Sequence, residues 1–271
     1  MRSAEERTAA PIPGGGPASP KHPDGIRQPI RGAADTLSKV LPDSLQAIQL
    51  VAARLGSLID RVVFLGGAVA GLLVTDPDAS TPRPTRDVDI VVTVAWLEYH
   101  AEGGLRAQLL ERGFREVLDE GVICRWSVEG VSVDIMDATG QLFGFTNRWY
   151  RSSFAEARDH DIGDGLMIRL ISPACFLATK LAAFADRGDG DFQASHDIED
   201  IVSVVNGRAM IEEDVRSSPP DVRSYVAIEL QRLLATPAFV EALAGHLSGD
   251  AASQEEVTRV LERLHKLASL R

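Results

Sequence analysis

The stretch Thr85-Arg86-Asp87-Val88-Asp89-Ile90-Val91-Val92 decides how this chain is read. In an extended strand, alternate side chains share a face. Val88, Ile90 and Val92 then point into a core, while Asp87 and Asp89 point together to the other side. Two carboxylates ~7 Å apart along a strand repel unless a cation lies between them. Aspartate is also disfavoured in strands. The pattern therefore points to a hard divalent cation such as Mg²⁺, which prefers carboxylate oxygen. The competing explanation of a lone Asp-x-Asp is the solvated face of an antiparallel sheet.

Working outward, Val131-Ser132-Val133-Asp134-Ile135 repeats the alternation, with Asp134 on the polar side. Placed beside the first strand, it brings a third carboxylate to the same face. Three such groups can hold two metal ions ~3.5–4 Å apart, the arrangement that serves in-line phosphoryl displacement. Upstream, the apolar run Val62-Val63-Phe64-Leu65 reads as a buried strand and ends at Gly66-Gly67. Glycine lets the backbone approach a ligand closely, and a helix start behind it offers N–H groups to phosphate. A simple tight turn is the alternative there.

Downstream, Ser172-Pro173 marks a helix start. Phe176, Leu177, Leu181 and Phe184 form one stripe, and Lys180 sits inside it, with Arg187 on the same side two turns on. A lysine in an apolar stripe either reaches an anion or snorkels along its own stem. The next helix opens at Ser195-His196-Asp197, with Ile198, Ile201, Val202 and Val205 as its core stripe. Asp197 borders that stripe and can face a site. Glu199 and Asp200 read as first-turn acids that favour the helix dipole.

Together these pieces resemble a known superfamily. Gly66-Gly67, Asp87-Val88-Asp89 and Asp134 resemble the core of the DNA polymerase β-like nucleotidyltransferases. The run Lys180-x-x-Ala183-x-x-x-Arg187, followed by Asp197-x-x-Asp200, is similar to the AbiEii/AbiGii-type nucleotidyltransferase toxins. The resemblance covers roughly residues 60–206. It implies metal at Asp87, Asp89 and Asp134, with Mg²⁺ or Mn²⁺ as cofactor. It implies nucleotide contacts at Gly66, Gly67, Thr85, Arg86, Lys180 and Arg187, and catalytic roles for Asp87, Asp89, Asp134, Lys180 and Asp197. The implied activity is transfer of NMP from an NTP to an acceptor hydroxyl, a tRNA 3′ end or a protein, with pyrophosphate released. An antitoxin protein is the implied partner. The alternatives are a small-molecule, antibiotic-type nucleotidyltransferase and a non-catalytic nucleotide-binding module of the same fold. Asp87 follows Gly67 by twenty positions, more than the usual spacing of the motif, and no serine follows the first glycine. The excess falls in the Pro-rich loop 75–86, and loops lengthen at little entropic cost.

Composition sets the frame. The chain has 271 residues with 28 basic and 39 acidic side chains, a net charge of −11. A body this acidic is not a general nucleic-acid binder. The two cysteines, Cys124 and Cys175, allow no disulfide framework and sit in no zinc spacing. No apolar run is long enough to span a membrane, and no secretory h-region opens the chain, so a cytoplasmic protein is expected. Residues 1–35 hold six prolines and five glycines and read as a disordered tail. Residues 36–170 are expected to form a nucleotidyltransferase-type α/β core, a small mixed sheet flanked by helices. Residues 171–271 are expected to form a helical domain that completes the site, so the fold class is α+β. Helices are expected over 43–59, 68–74, 95–112, 173–186, 196–206, 220–235, 237–247 and 253–269. Strands are expected over 62–65, 88–92, 114–118, 122–126 and 131–136, with turns at Glu120-Gly121 and Glu129-Gly130.

Overall fold

The computed structural model describes residues 42–117, 124–144, 146–187, 190–247 and 253–270. The expected tail over 1–35 and the turn at Glu120-Gly121 lie outside the described residues. The fold is a mixed α+β architecture: a seven-stranded mixed sheet with helices, followed by a helical C-terminal region.

Helix α1 (Pro42–Leu55) opens it, with Asp43 in its first turn. Ile48, Val51, Ala52 and Leu55 recur at helical spacing and are fully buried. A 3₁₀ turn (Gly56–Arg61) leads into β1 (Val62–Leu65), buried on both faces. The chain then tightens into a 3₁₀ turn (Gly67–Val69) and the short helix α2 (Ala70–Leu73). After the proline-rich loop comes β2 (Val88–Val92). The expected helix over 95–112 is two helices, α3 (Trp96–His100) and α4 (Leu105–Glu111), broken at Gly103-Gly104.

Strands β3 (Arg115–Glu116), β4 (Arg125–Val128) and β5 (Val131–Asp137) follow. The β4–β5 hairpin turns on Glu129-Gly130, both at positive φ, the conformation a two-residue primed turn requires. Next come α5 (Tyr150–Glu156), β6 (Arg158–Asp161) and β7 (Met167–Leu170), none of which the sequence pattern marks. The helical region comprises α6 (Pro173–Arg187), α7 (His196–Gly207), α8 (Ile211–Arg216), α9 (Pro220–Leu234), α10 (Pro237–Ala242) and α11 (Ser253–Ala268). The expected helix over 237–247 finishes as a 3₁₀ turn, and α8 is unforeseen.

The sheet order is β3-β4-β5-β2-β1-β7-β6. The centre sets the site: β1 runs antiparallel to β2, and β2 runs parallel to β5. The register pairs Leu65 with Asp89, Asp89 with Asp134, and Asp134 with Arg125. Residues in register point to the same face. One row across four strands therefore reads Leu65, Asp89, Asp134, Arg125. The opposite face carries Phe64, Ile90, Ile135 and Trp126, all buried in the core.

The helical region is stitched to the sheet. The backbone N–H groups of Thr75 and Asp76 both donate to the Gly207 carbonyl at 2.8 Å. A Cβ at Gly207 would lie 2.6 Å from Val74 Cγ1, so only glycine lets α7 dock there. Arg208 Nη1 adds a bond to the Leu73 carbonyl at 3.0 Å. Helix α7 also packs against α2 and the Gly67–Val69 turn. Among the described residues, no helix is long and apolar enough to cross a membrane.

Candidate functional site

Gly66 ends β1 at φ 78° and ψ −168°, a region essentially confined to glycine. A Cβ built there would sit 1.9 Å from Asp89 Oδ2. The backbone thus presses on the Asp89 carboxylate, and the space a side chain would fill belongs to it. At Gly67 a Cβ would meet Arg83 Nη2 at 2.8 Å and Asp200 Oδ2 at 3.1 Å. The Gly-Gly turn is the hub where the sheet, the proline-rich loop and α7 meet.

Asp89 occupies the centre of the charged row. Burial, in part offset by Lys180, pushes its pKa from 3.8 up to about 7, and Asp134 and Asp87 add to the rise. Asp134 is held by Arg125, whose Nε and Nη2 donate to Oδ1 and Oδ2 at 2.9 Å each. This two-pronged, charge-assisted geometry is the strong form of an ion pair. It lifts the Arg125 pKa well above its usual value, and Asp87 contributes to the same effect. Tyr150, on α5, donates to Met136 Sδ at 2.8 Å. Burial raises its pKa, and Asp89 raises it further.

The second cluster joins α6 to α7. Lys180 Nζ lies 3.1 Å from Asp197 Oδ1 and 2.6 Å from Asp200 Oδ2. Burial opposes the Lys180 ammonium, yet Asp200 and Asp197 outweigh it and hold its pKa above normal. Burial likewise opposes the Asp197 carboxylate, but Lys180 and Arg187 pull its pKa below normal. Arg187 donates from Nε and Nη2 to Asp197, both at 3.3 Å, and its own side chain is largely exposed. Arg83 Nε approaches Asp200 Oδ1 at 3.4 Å and Glu199 Oε2 at 3.6 Å. Asp89 lies within the electrostatic reach of both Lys180 and Arg187, so the two clusters form one charged group.

The expected site residues separate into two groups. Gly66, Gly67, Asp89, Asp134, Lys180, Arg187 and Asp197 are brought into this charged group. Asp87 is within electrostatic reach of Asp89 and Arg125, whereas the contacts of Thr85 and Arg86 lead elsewhere. The Asp87 N–H donates to Thr85 Oγ1 at 3.2 Å, and Thr85 is tied by its N–H and carbonyl to the Ser44 hydroxyl. Arg86 points outward to Asp43 at 3.0 Å. Lys180 does not stand free for an anion as the sequence suggests; its ammonium is already shared by two aspartates. Asp200 is not a solvated dipole partner. It is 1% exposed and is the closer of the two carboxylates to Lys180.

Sequence reasoning missed Arg83, Arg125, Tyr150 and the role of Asp200. The Asp197-x-x-Asp200 spacing was a usable signal, because residues three apart share a helix face. Arg125 could have been found from its position, since the Glu129-Gly130 turn fixes which β4 residue faces Asp134.

Among the described residues, no group of three or more histidine, cysteine, aspartate or glutamate side chains is arranged to hold a metal ion. The donor chemistry at Asp87 and Asp89 nevertheless suits a hard divalent cation. A carboxyl whose charge is suppressed by burial and neighbouring acids is one that a cation would restore. Asp134 is already engaged by Arg125 through both of its oxygens. No protein-family model and no curated protein matches the chain.

Proposed function

We propose that this protein is a metal-dependent nucleotidyltransferase of the DNA polymerase β-like superfamily, akin to the AbiEii/AbiGii-type toxins. The observation that supports this most is the pairing of Asp89 with Asp134 on neighbouring parallel strands, against a Gly66 backbone that leaves no room for a side chain. Asp87 and Asp89 would hold Mg²⁺ or Mn²⁺, with Asp134 joining them. The cation supplies Lewis-acid stabilisation of phosphate charge. The Gly66-Gly67 turn positions the triphosphate, and Arg187, largely exposed beside Asp197, offsets the charge that builds on the leaving group, while Lys180 holds Asp197 and Asp200 in place. The acceptor hydroxyl oxygen bonds to the α-phosphorus, the bond from that phosphorus to the β-bridging oxygen breaks, and pyrophosphate leaves. Asp134 would help to bind the cation that lowers the pKa of the acceptor hydroxyl, or would take that hydroxyl's proton. Catalysis of this kind is mostly positioning and electrostatics.

The acceptor is a tRNA 3′ end or a protein hydroxyl, and an antitoxin that silences the protein is the corresponding partner. A small cationic acceptor is the second reading, favoured by the net charge of −11. The test incubates the protein with each labelled NTP, Mg²⁺ and total cellular RNA. Label in RNA or protein, with pyrophosphate released, is expected, and Asp87→Ala with Asp89→Ala should abolish both. Full pyrophosphate release by that double variant would overturn the mechanism. Nucleotide binding without any release would identify a binding module.

A further inference from the structure

The row Asp89, Asp134, Arg125 already contains a cation of its own. Arg125 faces Asp134 directly across the β4–β5 ladder, and two of its five N–H donors engage both carboxylate oxygens. These are the oxygens a divalent cation would need. The two compete for it: each oxygen keeps a lone pair beyond its N–H bond, but the guanidinium already offsets the carboxylate's charge and would repel a second cation placed against it. The Arg125 side chain is 34% exposed against 19% for Asp134, so its head lies on the open side of the pair. A guanidinium displaced from a carboxylate prefers another planar or tetrahedral oxyanion, and phosphate matches its fork.

We propose that Arg125 occupies Asp134 in place of a divalent cation and exchanges it for the phosphates of an incoming nucleoside triphosphate. Arg125 is then a nucleotide-binding residue whose engagement couples metal entry to substrate entry. The free protein takes up metal poorly, and the triphosphate draws the guanidinium away as the cation arrives. This rests on the nucleotidyltransferase reading and adds to it a residue that reading does not name.

The experiment measures Mn²⁺ binding by electron paramagnetic resonance and inorganic tripolyphosphate binding by calorimetry, on the full chain and on Arg125→Gln. Tripolyphosphate makes the test independent of the preferred base. Without any phosphate, Arg125→Gln should bind Mn²⁺ about tenfold more tightly than the native protein, since a charge-assisted pair no longer competes. In saturating Mn²⁺, the same variant should bind tripolyphosphate about tenfold more weakly. A residue that merely braces the hairpin would not move the two ligands in opposite directions. Arg125→Lys, which keeps the charge but loses the fork, should fall between, and it serves as the measured variant if Arg125→Gln does not fold. Unchanged Mn²⁺ affinity in a variant that still binds Mn²⁺ overturns the exchange alone. Unchanged tripolyphosphate affinity overturns the phosphate role. Absence of Mn²⁺ binding in every form, native included, overturns both this proposal and the metal-dependent reading.

Discussion

Replacing Asp89 with asparagine should make the protein more stable at neutral pH, and the gain should vanish in acid. The reasoning starts from a carboxyl raised from 3.8 to about 7 by burial and by its acidic neighbours. Below pH ~4 the group is protonated in both folded and unfolded chains and contributes nothing. As pH rises, the unfolded chain ionises first, so stability is lost progressively up to about pH 7 and stays lost above it. Taken whole, the change from 3.8 to about 7 corresponds to roughly 4 kcal/mol against the ionised fold. Asp89 as a residue is partly exposed, and solvent screening reduces this to ~1–2 kcal/mol. Asparagine keeps the shape and removes the charge. Urea unfolding in EDTA at pH 5 and pH 8 gives the test. The native midpoint should fall between the two pH values by more than that of Asp89→Asn, and added Mg²⁺ should restore the native protein alone. Parallel pH profiles for the two proteins would refute the argument that Asp89 is held charged at a cost.

Further expectations concern the surrounding residues. Lys180→Ala leaves Asp197 and Asp200 facing each other in a buried site. It should cost about 3–5 kcal/mol and lower the melting temperature by roughly 6–20 °C, with partial recovery when Asp200→Asn is added. Arg83→Ala removes a weaker contact to Asp200 and should cost about 1–2 kcal/mol by urea titration. Gly66→Ala should destabilise by about 1–3 kcal/mol from backbone conformation alone, and its Cβ would also displace the Asp89 carboxylate. Its nucleotide affinity by calorimetry should fall accordingly.

The buried strands were legible, β1 as a short apolar run closed by two glycines and β2 by a period of two with β-branched residues, and both fall where the pattern puts them. Strands β6 and β7 were not. Arg158-Asp159-His160-Asp161 is polar throughout and lies at the sheet edge, where backbone pairing rather than side-chain burial makes the strand. The carboxylates of the site could be read because aspartate in a strand is anomalous. Their partners could not, since Arg83 and Arg125 look like ordinary surface arginines until the register and the loop bring them to Asp200 and Asp134. Lys180 shows the limit from the other side. Its place in an apolar stripe signals an anion, but whether that anion is a ligand or a side chain depends on how α7 packs on α6.

Severing the chain between β7 and α6 would not release two proteins. The carbonyl that receives the Thr75 and Asp76 N–H groups belongs to α7, and so does the glycine that accommodates Val74. A fragment ending before α6 would bare Leu72, Leu73 and Val74, all sealed in the intact molecule. The sheet half and the helical half share a party wall, and gene fragments built on the seeming junction should be soluble only when expressed together.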